Sequence, residues 1–270
     1  MLMNSVIITD SCCDLPLSFI KEHHLPVIGL TITMNGQEYV DDMGETLSSH
    51  DFYDAVRGGA MPTTSQINTQ QFIDTFKGYL EKGQDVIYIA FSSALSGTCN
   101  SAVIAKETLK EEYPERKVTV IDSLSASMGQ GLLVYYAILM KEKGHSDEEI
   151  IDWLENHKLE LNHWFTVDDL NHLKRGGRVS STAAFIGTIL DIKPVLYVNN
   201  EGRLIPSEKV KGRKKSIRML ADLLCKRIVN PEEQSVFISH ADCLEDAQYL
   251  EKLINERVQV KEIVINPIGV

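Results

Sequence analysis

Seven consecutive residues, Ser92-Ser93-Ala94-Leu95-Ser96-Gly97-Thr98, place four hydroxyls and a glycine directly after the apolar run Val86-Ile87-Tyr88-Ile89-Ala90-Phe91. A helix-like run follows from about Asn100. A strand that ends in such a turn points backbone N–H groups and hydroxyls at one spot outside its carboxyl end. Helix N-termini add unsatisfied donors and a partial positive charge, so the arrangement suits a small anion. Two further stretches carry related chemistry. Met61-Pro62-Thr63-Thr64-Ser65-Gln66 reads as a second hydroxyl-rich loop, and Lys174-Arg175-Gly176-Gly177-Arg178 sets two guanidinium groups around a glycine pair. By themselves these cations read as a solvated helix end, whose terminal carbonyls favour positive charge. Lys193, Arg203, Lys209, Lys211, Arg213, Lys214 and Lys215 follow, and together they imply a local positive face suited to a phosphate or an acidic partner.

The Ser turn also offers nucleophiles. No G-x-S-x-G elbow is present, and the members of a Ser–His–Asp set lie too far apart along a chain to be read from one sequence. A run of hydroxyls argues for hydrogen bonding to an oxyanion more than for one activated nucleophile. A serine hydrolase acting on acyl esters stays as the alternative. Metal chemistry has little support. His23 and His24 are adjacent and point to different faces, and His157, His163, His172 and His240 have no H-E-x-x-H or Cys/His spacing. A dinucleotide G-x-G-x-x-G and a G-x-x-x-x-G-K-[ST] loop are both absent, so no cofactor is expected. The five cysteines contain no C-x-x-C and read as reduced thiols.

The scaffold that must position these residues follows from the apolar pattern. Val6–Asp10, Pro26–Thr33, Val86–Phe91 and Val118–Ser123 read as buried strands, alternating with helices capped near Ser48, Thr69, Asn100, Leu124 and Ser146. Such alternation predicts an α/β fold with a Rossmann-like, doubly wound parallel sheet and helices on both faces. Asp10-Ser11, Ser92 to Thr98 and Asp122-Ser123 then gather at the carboxyl edge, where ligands bind in such sheets. Asn35-Gly36 marks a hairpin. From Trp164 the texture changes: Val195–Val198 and Leu204–Pro206 flank a hairpin signal at Asn199–Gly202, helices are expected over Ser216–Val229 and Leu244–Arg257, and a last strand over Val260–Ile265. The expected division is an N-terminal α/β domain over residues 1–160 and a smaller C-terminal α/β domain over 161–270. The 270 residues, 43% apolar and 24% charged, are ordinary globular composition. A net charge of −11 speaks against nucleic-acid binding, and no apolar stretch is long enough for stable membrane insertion. A cytoplasmic protein is the expectation.

Taken in order, these stretches resemble the DegV family across essentially the whole chain. The opening Thr9-Asp10-Ser11-Cys12-Cys13-Asp14-Leu15-Pro16 is similar to that family's, with cysteines where small residues are usual. Thr63-Thr64-Ser65-Gln66 resembles its Thr-Ser-Gln loop, Ser92 to Thr98 its Ser-Ser-x-Leu-Ser-Gly-Thr turn, and Leu173 to Val179 its Lys-x-Gly-Gly-Arg segment. Lys193-Pro194-Val195-Leu196, the Gly202 hairpin and Lys209-Val210-Lys211-Gly212 follow in the same order.

The resemblance implies a two-domain lipid-binding carrier, not an enzyme, that holds one long-chain fatty acid between its domains. Its carboxylate would sit on Thr63, Thr64, Ser93 and Ser96. It also implies a partner, a fatty acid kinase, to which the bound acid is presented, with Arg175, Arg178 and Arg203 as the docking and phosphate-handling surface. The family pattern continues beyond the last Pro-x-Gly to a His-x-Gly-Pro-Gly turn whose histidine also contacts the carboxylate; the sequence here stops before it, at Val270. The small-residue apolar run Thr182 to Leu190, with Phe185, Ile186 and Ile189, is a candidate tunnel wall and equally an ordinary core helix. About fifteen buried methylenes at roughly 0.8 kcal/mol each give of order 10 kcal/mol. A charged hydrogen bond adds roughly 1.5–3 kcal/mol, so the tail would supply affinity and the hydroxyls orientation. A regulatory protein using the basic face without lipid is a third reading.

Overall fold

The computed structural model describes residues 5–168, 170–179 and 191–269. In chain order the elements are β1 (Ser5–Asp10), α1 (Leu17–Glu22), β2 (Val27–Ile28), β3 (Thr31–Met34), β4 (Gln37–Val40), α2 (Ser49–Arg57), β5 (Thr63–Ser65), α3 (Thr69–Leu80), β6 (Asp85–Ala90), α4 (Thr98–Glu112), β7 (Val118–Asp122), α5 (Ser127–Glu142) and α6 (Asp147–His157). They are followed by β8 (Trp164–Thr166), α7 (Asn171–Arg175), β9 (Ile192–Val198), β10 (Leu204–Lys211), α8 (Arg213–Arg227), β11 (Ser235–His240), α9 (Leu244–Asn255) and β12 (Glu262–Pro267).

A parallel sheet in the order β2-β1-β6-β7 forms the centre of the N-terminal part. Its strands are apolar on both faces, as a sheet covered on both sides must be. Alternate residues serve opposite cores. Ile7, Ile87, Ile89 and Ile121 pack with Leu133, Val134 and Ile150 from α5 and α6. Ile8, Val86, Tyr88 and Ala90 pack on the other side with Phe72 and Phe76 of α3 and Ala102 and Ala105 of α4. The expected α/β class and two-sided sheet are therefore observed, with a smaller α/β part after it. There β8, β9 and β10 form an antiparallel sheet, while β11 and β12 pair in parallel against α8 and α9 around Ile217, Ala221, Ile238 and Ile254.

A small lobe stands apart. Strands β4-β3-β5 make an antiparallel sheet that, with α2, closes over its own core of Ile32, Met34 and Phe52. The β3–β4 turn is Asn35-Gly36, both with positive φ (53° and 81°), as a two-residue hairpin requires.

Several expected boundaries are corrected. The strand expected over Pro26–Thr33 divides at Gly29-Leu30, so that β2 joins the parallel sheet and β3 the lobe. A Cβ at Gly29 would lie 2.4 Å from the carbonyl oxygen of Asp41, and only glycine allows that crossing. Thr63–Ser65, expected as a loop, is a strand paired with β3, Thr64 opposite Ile32. Asn68 rather than Thr69 caps α3, in a reciprocal pair with Gln71 at 3.0 Å each way. Helix α4 begins at Thr98, earlier than expected, and α5 at Ser127, later. The latter delay has a cause: Leu124 takes φ 50° and its amide is held by Asp122, so the chain there braces the Ser turn before it coils. Helix α8 starts at Arg213, because Gly212 with φ 90° turns the chain sharply out of β10.

Candidate functional site

The Ser turn caps the carboxyl end of β6, and two carboxylates, buried Asp10 and half-buried Asp122, build it from below. Asp10, with no exposed surface, accepts from the Phe91 amide at 2.9 Å, the Tyr88 hydroxyl at 2.6 Å, the Cys12 amide at 3.1 Å and Gln130 Nε2 at 3.1 Å. Burial pushes its carboxyl above the usual range, and the four donors pull it back. Asp122, at the end of β7, accepts from the Ser93 amide at 3.2 Å and the Leu124 amide at 3.1 Å. The Ser92 amide donates to the Ser125 carbonyl at 3.0 Å. The start of the turn is thus fixed by three backbone amides: Phe91 bonds to Asp10 of β1, Ser93 to Asp122 of β7, and Ser92 to the Ser125 carbonyl in the β7–α5 loop.

The hydroxyls then divide by role. Ser92 is fully buried; its Oγ donates to the Gly202 carbonyl at 2.9 Å and accepts from the Ala94 amide at 3.3 Å. It seats the tip of the β9–β10 hairpin on the turn, and Gly202 must be glycine because a Cβ there would lie 2.1 Å from Ser92 Oγ. Ser93 is exposed, and Ser96 is half-buried with Oγ 3.0 Å from Thr98 Oγ1. Thr63 is exposed and Thr64 half-buried on β5. What joins β5 to the turn is Gln66, whose amide lies over Gly97 and donates to Ser101 Oγ at 3.3 Å.

The cationic residues do not share one position. Arg178 reaches the turn directly, Nε donating to the Leu95 carbonyl at 3.2 Å and Nη1 to the Gly176 carbonyl at 2.5 Å. Arg203 follows Gly202 on the hairpin, exposed and paired with Glu201 at 3.3 Å. Arg175 is exposed at the end of α7, and no contact between it and the turn is found among the described residues. The expected positive face is reduced by ion pairs within the C-terminal part: Lys193 lies 2.9 Å from Asp168 and Arg213 2.7 Å from Asp246. Phe185, Ile186 and Ile189, the candidate tunnel wall, lie outside the described residues.

Comparison with known proteins decides the family. A family model described as uncharacterised protein, DegV family, matches residues 4–270. The chain belongs to the DegV family. A DegV domain-containing protein of Clostridium perfringens is 51% identical over 265 residues, 98% of this chain and 91% of that protein. The solved structure of DegV from Bacillus subtilis, described as a fatty acid binding protein, is 32% identical with a TM-score of 0.84, over 99% of this chain and 93% of that one. A stearic acid-binding protein from Eubacterium ventriosum is 26% identical, also with a TM-score of 0.84, over 98% and 92%.

Elsewhere in this DegV chain burial shifts the acidity of three groups, Asp14, Asp41 and His163. Asp14 is buried with φ 51°, accepts from the Gly269 amide at 2.7 Å, and is pushed by burial up to about 7. Asp41, facing it across the gap to the lobe, is raised by burial as well. His163 lies 3.2 Å from Ser125 Oγ, and burial lowers it to about 4, so it is neutral near pH 7. Among the described residues this is the Ser–His hydrogen bond present, and it sits on buried Ser125, not on exposed Ser93. The thiols of Cys12 and Cys13 are pushed well up by burial and stay protonated, and the described cysteines form no disulfide. His50, Asp54 and Asp242 come together at the surface, but Arg57 already lies 2.8 Å and 2.6 Å from the two carboxylates. Among the described residues no helix is long and apolar enough to cross a membrane. Single residues with a local signal for these roles were few; Asp10 and Asp122, each closing a strand next to a serine, had one in their position.

Proposed function

We propose that this DegV chain binds a long-chain fatty acid between residues 1–160 and 161–270, with the carboxylate on Thr63, Thr64, Ser93 and Ser96. The observation that carries the reading is convergence: the Thr strand through Gln66 and the Gly-Gly-Arg segment through Arg178 both meet the turn that holds Ser93 and Ser96. Hydroxyl donors beside a guanidinium suit a carboxylate, which accepts at two oxygens and gains most from charged donors. The fatty-acid-binding relatives from Bacillus subtilis and Eubacterium ventriosum support the same reading. As a carrier in the cytoplasm, the protein presents the acid to a fatty acid kinase, with Arg175, Arg178 and Arg203 at the docking surface. No step of bond making falls to this chain itself.

The test is mass spectrometry of the denatured, purified protein, followed by uptake of added oleate. A co-purifying acyl chain or saturable oleate binding is expected. Neither being found would overturn the proposal, and turnover of a short-chain ester lost in Ser93→Ala would replace it with the hydrolase reading. For the docking surface, Arg175→Glu, a change away from the turn, is expected to lower phosphorylation of the bound acid by a cognate kinase with oleate affinity unchanged; unchanged phosphorylation would remove that part.

A further inference from the structure

The lobe that carries Thr63 and Thr64 has its own core, Ile32, Met34 and Phe52, which shares no residue with the two cores beneath the parallel sheet. Its placement against the Ser turn is therefore set by the contacts along its border. On the side facing the turn that border is Gln66, the residue directly after β5. Ile67, next along the chain, is buried in the α3–α4 core and anchors the backbone there. The Gln66 side chain lies so close over Gly97 that a Cβ would fall 2.1 Å from its Oε1 and 2.8 Å from its Cδ. Its Nε2 donates to Ser101 Oγ, itself buried one turn along α4. Gly97 has φ −74°, a conformation open to any residue, so what a side chain there would disturb is the seated Gln66 and not the backbone.

We propose that Gln66 is a positioning residue of the head-group site: seated on Gly97, it sets where Thr63 and Thr64 stand relative to Ser93 and Ser96. The inference rests on the fatty-acid reading above. Gly97→Ala supplies an independent way to unseat Gln66, because the new methyl displaces a flexible side-chain end without straining the helix start. Both variants should fold, since Gln66 is exposed and alanine is tolerated at φ −74°.

The experiment measures displacement of a fluorescent fatty acid by oleate and by oleyl alcohol from the wild type, Gln66→Ala, Gly97→Ala and the double variant. The alcohol has the same tail and no carboxylate. The expected result is a loss of about tenfold in oleate affinity for each single variant, the size of one charged hydrogen bond. The alcohol should change by less than about twofold, so that the acid-to-alcohol preference falls. The double variant should bind oleate no more weakly than Gln66→Ala, because Gly97→Ala acts only through Gln66. Wild-type oleate affinity in Gln66→Ala, equal losses for acid and alcohol, or additive losses in the double variant would each overturn the inference. Failure of the wild type to bind either lipid would instead overturn the fatty-acid reading, and this inference with it.

Discussion

Arg178 donates from Nε to the carbonyl oxygen of Leu95 at 3.2 Å, across 83 residues of chain. The Gly-Gly-Arg segment is thereby fixed to the turn that carries Ser93 and Ser96, while Arg203 spends its charge on Glu201. Arg178→Ala is expected to weaken oleate binding by about tenfold, and Arg203→Ala by less than about twofold, because only Arg178 is bonded to the turn whose hydroxyls are proposed to hold the carboxylate. Titration calorimetry on both variants checks this. Equal losses would show that Arg178 has no special place in the site.

Ser92 and Ser93 are adjacent yet should fail differently. Ser92 Oγ is the donor to the buried Gly202 carbonyl, and its removal leaves that oxygen unpaired. Ser92→Ala should cost about 1–3 kcal/mol in a urea melt. Exposed Ser93 should cost little stability on change to alanine, and should lower oleate affinity instead. A matched pair of melts and binding curves separates the two roles, and a stability loss confined to Ser93→Ala would contradict them.

Asp14 and His163 pull stability in opposite directions with pH. Burial raises Asp14 to about 7; the unfolded carboxyl titrates near 3.9. The folded protein therefore binds the extra proton, and this contribution is full below about pH 4 and lost as pH rises through about 7. His163 is lowered to about 4; unfolded, it titrates near 6.5. Its contribution is full above about pH 6.5 and lost as pH falls through about 4. Asp14→Asn, which keeps an acceptor for the Gly269 amide and tolerates φ 51°, should leave stability rising more steeply with pH over this window. His163→Gln should do the reverse. Urea melts at several pH values measure both, and curves parallel to the wild type would contradict the burial of these groups.

Arg57 ties α2 to the loop before α9, Nη1 lying 2.6 Å from Asp242 Oδ2 and Nη2 3.0 Å from its carbonyl. His50 Nδ1 approaches the same carboxylate at 3.1 Å, and the Tyr53 hydroxyl donates to the Ile268 carbonyl at 3.2 Å. These groups are mostly exposed, so salt should weaken the tie. Hydrogen exchange in residues 49–57 is expected to quicken in Arg57→Ala, and in the wild type at about 0.5 M salt, with β1 and β6 unchanged. Exchange insensitive to both would show that Tyr53 and apolar contacts alone hold the helix.

Much of the scaffold was legible because its signals are local. The apolar runs of β1, β6 and β7, the Asn35-Gly36 turn and the cap at Ser146 are each readable within a few residues, and the structure has them. Thr63–Ser65 reads as a loop in the sequence because its strand character comes from β3, paired through Ile32 opposite Thr64. The start of α5 differs from the expected one for a similar reason: the Ser125 carbonyl accepts from the Ser92 amide of the turn, an interaction no local propensity reports.

The sequence by itself determined that a hydroxyl-rich turn follows a buried strand, and that similar hydroxyl and Gly-Gly-Arg stretches accompany it. Period-two burial and turn chemistry act between near neighbours, so they can be read along the chain. Only the tertiary structure decided what the groups of that turn meet. Ser92 is consumed by a hairpin 110 residues away, the Ser93 amide by Asp122, and Gly97 by Gln66. A hydrogen bond or a steric contact belongs to whichever group the fold brings within reach, and that choice is made by packing rather than by residue type.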